Sequence, residues 1–333
     1  MKNVPSYPAL IAVLLATTLL AFVTSILIGP TELGFRDLVT AIFGKDPSMT
    51  TTIIGEIRLP RAILGLLIGS TLGLTGASLQ GYLRNPLAEP GVIGVSTAAA
   101  LGAVLAIYTG LSSSAPLALP VMAIGGSLIA VLMLRALAGS GSILTLILAG
   151  VAISSLGGAL TSLVLNLSPN PFASLEIIFW LLGSITDRSM NHVWLAAPFI
   201  ISGWVLLVLS ARALDVLSLG EETAISLGIN LERTQLFIIF GTAISVGAAT
   251  AVSGVIGFVG LVVPHILRPW VNYSPSRLLL ASALGGATLL LSADVLVRLI
   301  TPGTELKLGV VTAFFGAPFF LHLILKTKAT FNT

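Results

Sequence analysis

The sequence predicts an all-α, polytopic membrane protein, and three observations carry that prediction. Charged residues make up 9% of the 333 and hydrophobic residues 56%; an ordinary soluble domain carries roughly 25% charged residues. So little polar surface cannot cover even one soluble core. The apolar residues gather in runs long enough to cross about 30 Å of hydrocarbon as helix. Within those runs glycines recur at spacings of three or four, the pattern by which helix backbones approach closely in a bilayer.

Taken in order, the first run, Pro8 to Ile28, follows Lys2. Its length exceeds the 7 to 15 residues or so of a secretory signal core, and no clear small-residue cleavage site follows, so it reads as a transmembrane helix. Further spans are expected at 59–81, 92–110, 116–138, 143–166, 192–211, 234–252, 255–268, 277–299 and 308–326, ten with the first. The second opens on Arg58-Leu59-Pro60-Arg61, where proline suits a first helical turn and the two arginines share a face. Along it Gly65, Gly69, Gly73 and Gly76 form a stripe for which helix packing is the preferred reading and a pore lining the alternative. Asn85 to Gly91, with two prolines, breaks the helix before the third span. Ser174 to Ile185 is apolar but too short to cross and reads as re-entrant. From 234 to 264 the apolar run is broken by Gly254, Gly257, Gly260 and Pro264; one bent span or two short ones fit it, and it is a candidate pathway wall. Asp294, in the ninth span, would cost about 2.5 to 3.5 kcal/mol unpaired at a helix centre. Pairing with Arg298, one turn on, lowers that cost. The segments LGLTGASLQGYLRNPLAEPGVIGV and AISVGAATAVSGVIGFVGLVVPHIL are alike in the manner of an inverted repeat.

With ten spans both termini share a side. That side holds Lys2, Arg84, Arg135, Arg212, Arg233, Arg268, Arg277, Lys326 and Lys328, against Arg36, Lys45, Arg58, Arg61, Arg188, Arg298 and Lys307 on the other. The excess of positive charge makes the termini cytoplasmic. It also places in the cytoplasm the polar island RALDVLSLGEETAISLGINLER, Arg212 to Arg233. There Ser218 and Glu221 fit a capping box and Gly228 a stop, giving a helix of about two to three turns. Leu217, Ala224, Ile225 and Leu227 form its apolar side, Glu221 and Glu222 its charged one.

Bond chemistry finds no support. The one Gly-Lys pair, Gly44-Lys45, precedes Asp46, so there is no phosphate-binding GxxxxGK[ST] loop. His192, His265 and His322 lack metal-ligand spacing, and cysteine is absent. A net charge of +3 without a basic cluster excludes nucleic acid as a partner. An ion-coupled secondary transporter would carry more ionisable residues at mid-membrane than Asp294. A receptor or scaffold without transport would favour rigid spans poor in small residues.

The runs RLPR (58–61), GASLQGYLRNPLAEPGVIGVS (76–96), SLGEETAISLGI (218–229), GVIGFVGLVVPHILR (254–268) and LGVVTAFFGAPFF (308–320) together resemble the FecCD-type permease subunits of bacterial ABC importers for iron-siderophore, haem and vitamin B12. The resemblance implies a type II importer permease fold over residues 1–333 as one transmembrane domain, with a coupling segment at about 212–233. It implies a paired permease, homodimeric or with a paralogue, in the inner membrane. A cytoplasmic ATPase dimer would bind ATP and Mg, with no cofactor on this chain, and a periplasmic binding protein would deliver the cargo. By the same resemblance Leu217, Gly220, Glu221, Ala224, Leu227 and Gly228 contact the ATPase. Arg58, Arg61 and Arg298 dock the binding protein, and Asn85, Pro86 and Leu87 lie at the cytoplasmic gate. Ser142, Ile143, Leu144 and Thr145 are more apolar than the small polar gate that the B12 permease has before the fifth span.

Overall fold

A computed structural model of the chain describes residues 6–31, 34, 37–40, 49–115, 117–139, 143–168, 170–300 and 306–331. The flanking charges Lys2, Arg36 and Lys45, and Ser142, lie outside the described residues. Each predicted span coincides with a helix: α1 Tyr7–Leu27, α2 Leu59–Tyr82, α3 Val95–Tyr108, α4 Ala118–Ala138 and α5 Ile143–Asn166. After the short α6, Pro171–Leu181, come α7 Met190–Leu209, α8 Ala211–Leu217, α9 Glu221–Ser226 and α10 Leu231–Ser253. Then follow α11 Val259–Leu267, α12 Pro275–Ile300 and α13 Leu308–Phe331. Among the described residues seven helices are long and apolar enough to cross a membrane; α3, α11 and α13 fill the remaining predicted positions with shorter apolar stretches.

Packing separates a centre from a rim. Of the most apolar stretch of the helix containing α2, 89% is buried inside the chain, against 22% for α1, so α2 is the central pillar and α1 lies at the rim. α2 runs along α12, with α11 wedged against both; α10 packs on α7 and α4. The glycine stripe of α2 explains its closeness to these neighbours. A Cβ at Gly69 would meet the Gly286 carbonyl, one at Gly73 the Ser282 carbonyl, and one at Gly76 the Gly260 carbonyl. The stripe is therefore backbone-to-backbone packing, not a pore lining.

The apolar run from 234 to 264 is two helices. Ser253 ends α10 because Gly254 takes φ +70° and lies against the Trp180 carbonyl, where a side chain would have no room. The Ser184 N–H donates to the Ser253 carbonyl at 2.7 Å, satisfying a group the helix end leaves open. α6 is the expected short helix: at 11 residues it reaches about 16 Å, half a bilayer. Asn170 caps it, accepting from the Phe172 N–H at 2.9 Å. His192 has a local task, accepting from the Ser189 N–H at 3.2 Å at the start of α7. His265 lies edge-on to Phe319.

The connections gather at two ends. At one, Tyr7 meets Arg277, Arg84 meets Glu221 and Arg135 meets Glu232. At the other, Arg298 meets Ser25, and the Gly309 N–H donates to the Gly183 carbonyl. This grouping of loops is the one an even number of spans requires.

Candidate functional site

Two clusters stand at opposite ends of α2. At its start the chain makes one wide π turn, Ile53–Arg58, a local irregularity frequent at functional positions. The turn carries Arg58 inward, where the guanidinium donates to the carbonyls of Ile26 at 2.9 Å, Leu27 at 2.5 Å and Thr31. These acceptors lie at and beyond the C-terminal end of α1, where the last carbonyls are unpaired and the helix dipole favours a cation. Arg61 grips Asp294 with two nitrogens, Nε at 3.0 Å and Nη2 at 2.7 Å from Oδ1. Arg298 takes Oδ2 of the same carboxylate at 2.7 Å, and donates to the carbonyls of Ser25 at 2.8 Å and Ile28 at 2.6 Å.

The three arginines expected to dock a partner are thus brought together, with one carboxylate among them. Their presentation differs from the expectation of three projecting arms. Arg58 is 4% exposed, with both terminal nitrogens engaged by carbonyls; the side chains of Arg61 and Arg298 are 16% and 9% exposed. Burial in a low dielectric makes internal acceptors more rewarding than water, so each guanidinium turns into the fold.

At the other end the polar island is a pair of helices. The expected capping box at Ser218 and Glu221 does not form: the Ser218 hydroxyl donates backwards to the Asp215 carbonyl at 2.6 Å, closing α8. Gly220, at φ +110°, then turns the chain so that α9 begins at Glu221. Gly228 ends the unit at φ +80°, as expected of a left-handed stop. The predicted apolar side divides: Leu217 and Ala224 are buried in the fold, while Ile225 and Leu227, with Leu219, are exposed. Leu219, Ile225 and Leu227 thus put an exposed apolar face on a polar segment.

The turn after α2 lies beside this pair. Asn85 Oδ1 accepts from the Leu87 N–H at 2.9 Å, bridging Pro86, and the Asn85 N–H donates to the Gln80 carbonyl at 3.2 Å. Gln80 holds the turn's base: its amide donates to the carbonyls of Gly260 and Leu261 and accepts from Arg268 at 2.5 Å. Burial pushes the Glu89 carboxyl up, and the Phe258 N–H, donating to it, pulls it part of the way back. Arg84, in the left-handed region at φ +46°, donates to Glu221 Oε1 at 2.7 Å. Ile143, Leu144 and Thr145 open α5, with Leu144 exposed.

Comparison with known proteins settles the relationship. Residues 17–326 match the FecCD transport family. The chain belongs to that family. The chain is 39% identical to the ferric enterobactin transport system permease protein FepD of Escherichia coli over 93% of each chain. It is equally, 39%, identical to the cobalamin import system permease protein BtuC of Halobacterium salinarum, over 84% of this chain and 74% of that one. A solved metal-chelate type ABC transporter in an inward-facing conformation superposes with a TM-score of 0.86 at 31% identity, covering 96% of this chain and 99% of its counterpart.

Sequence reasoning passed over Gln80, Arg268 and two further residues of these sites. Arg84 counted only as a topology-setting charge, and Asp215 went unremarked, though its Oδ1 accepts from the Ser276 N–H at 2.8 Å at the start of α12. Both act on partners tens of residues away, and no local spacing marks them.

Proposed function

We propose that this permease pairs with a second copy, or with a paralogue, to import a metal chelate across the inner membrane from periplasm to cytoplasm. The α8–α9 end is then cytoplasmic, as are both termini. A dimer of ATPase subunits, holding ATP and Mg, seats on Leu217 to Gly228; a periplasmic binding protein delivers cargo at the arginine end. The observation that carries the reading is the exposed apolar face of Leu219, Ile225 and Leu227 on a segment ion-paired to the turn containing Asn85, Pro86 and Leu87. A chain without a phosphate loop needs such a surface to receive work done elsewhere.

An arginine cluster with one carboxylate keeps a net charge of +2 from its three guanidiniums, Arg58, Arg61 and Arg298, and Asp294. Arg61 and Arg298, partly exposed, form the face that meets acidic groups on the binding protein, and Arg58 supports them from below. Association of binding protein and permease should therefore weaken several-fold when ionic strength rises from about 0.05 to about 0.5 M, measured by surface plasmon resonance on nanodiscs. Salt-independent binding would remove the arginine face from the docking site.

Iron-siderophore is the preferred cargo, with haem and cobalamin the alternatives; equal identity to relatives named for ferric enterobactin and for cobalamin leaves the choice to experiment. Reconstitution with the cognate ATPase and binding protein, assayed with each chelate in turn, makes that choice, and a complex that imports none of them refutes the importer reading. In the same system Leu227→Arg should cut uptake by about 10-fold while ATP hydrolysis persists, because a charge replaces an apolar anchor at a desolvated interface. Undiminished uptake would refute the coupling assignment.

A further inference from the structure

We propose that Arg84 is a positioning residue of transport: its ion pair with Glu221 is the link through which α9 sets the turn at Asn85, Pro86 and Leu87. The inference rests on the importer reading above and adds to it the specific connection. Four observations carry it. α8 is fixed, since Asp215 Oδ1 accepts from the Ser276 N–H at 2.8 Å and from the Ser274 hydroxyl at 3.4 Å, pinning α8 to the start of α12. α9 lies between two glycines in the left-handed half of backbone space, Gly220 at φ +110° and Gly228 at φ +80°, which offer it a hinge. Glu221 is the first residue after the hinge, so it swings with α9 and not with α8. Arg84 adjoins Asn85, whose backbone and side chain shape the turn, and at φ +46° it is itself the left-handed residue that ends α2, closed by the Asn85 N–H donating to the Gln80 carbonyl.

The pair is about half exposed, 44% for Arg84 and 46% for Glu221. Such a pair contributes little to folding. Its position is what gives it consequence: of the two short helices, one is pinned to α12 and the other is tied by a charge to the end of α2. Rotation of α9 about its glycines, driven from outside the permease, pulls on Arg84 and leaves α8 in place.

The test uses the whole complex of permease, ATPase and binding protein. Arg84→Glu and Glu221→Arg each set like charges together, and each should raise the ATP hydrolysed per chelate imported about 5-fold. The double variant, with the charges exchanged, should return the ratio to within about 2-fold of the parent. The native chain has no cysteine, so a spin label at Leu87→Cys reports the turn directly, with the permease and ATPase alone. Nucleotide should change the label distance between the two copies in the parent background, and the change should vanish with Arg84→Glu and return in the charge exchange. Single variants with an unaltered ratio, an exchange no better than the worse single variant, or a label shift that survives Arg84→Glu overturns the proposal. Arg84→Gln, which removes the pair without repulsion, should show the same loss at about 2-fold if a reversed charge prevents assembly, and an unaltered ratio there counts equally against the link. A parent complex that imports no chelate is a separate failure, that of the importer reading, and the label distance still decides whether Arg84 moves the turn.

Discussion

Replacing Asp294 with alanine should destabilise the purified permease by about 3 to 5 kcal/mol, the cost of removing one partner from a buried charge network. Asp294 accepts from two guanidiniums at once, and its side chain is 2% exposed. Without it Arg61 and Arg298 face each other across a vacancy that water does not fill cheaply, and their like charges repel. Arg61→Met should cost less, because Asp294 keeps its partner Arg298 in a one-to-one pair, 2.7 Å apart on the same helix. The exposed pair Arg135 and Glu232 gives the reference: its side chains are 47% and 66% exposed, and Glu232→Ala should cost no more than about 1 kcal/mol. Thermal unfolding of the three variants in one detergent ranks them. If Asp294→Ala melts no earlier than Glu232→Ala, the cluster does not hold its end of the helix bundle together.

The second large effect is expected from one methyl group. At Gly73 a Cβ would meet the backbone carbonyl of Ser282, and a backbone atom cannot swing aside as a side chain can. Gly73→Ala therefore parts α2 from α12, at a cost of about 1 to 3 kcal/mol for overpacking and more for Gly73→Leu. Loss of contact spreads along the interface, because Gly69 and Gly286 meet in the same way one turn nearer the arginines. The control is internal. At Gly158, in α5, nothing lies within 4 Å of the added atom, so Gly158→Ala should be neutral, or stabilising by roughly 0.5 to 1 kcal/mol through helix propensity. Fluorescence-detected size-exclusion after heating separates the two, and equal melting of Gly73→Ala and Gly158→Ala would refute the packing account.

The helices were legible because apolar length is a one-dimensional signal and a bilayer reads it directly. Glycine at 254 permitted a break but did not require one; the left-handed turn against the Trp180 carbonyl makes the break, and that contact lies far off in sequence. The Asp294–Arg298 pair was legible at one helical turn. The grip of Arg61 on the same carboxylate, 233 residues away, was not. The failed capping box teaches the same point locally. Ser218 can serve the helix before it or the one after it, and Gly220, itself an accepted N-cap residue, takes the start of α9 and leaves Ser218 to α8. Exposure of Ile225 and Leu227, beside a buried Ala224, likewise depends on what α9 leans upon and not on its own periodicity.

The fused backbones of α2 and α12 also have a mechanical meaning. With 24 residues α2 is about 36 Å long, and glycine contacts bind it to α12 too closely for either to slide or bend alone. The arginine cluster and the Arg84 turn are the two tips of one stiff lever. A tilt of about 5° about one tip carries the other through about 3 Å, roughly a hydrogen bond's length. A displacement of the arginine cluster is then felt at the Arg84 turn as leverage, with no relay of side chains changing places between.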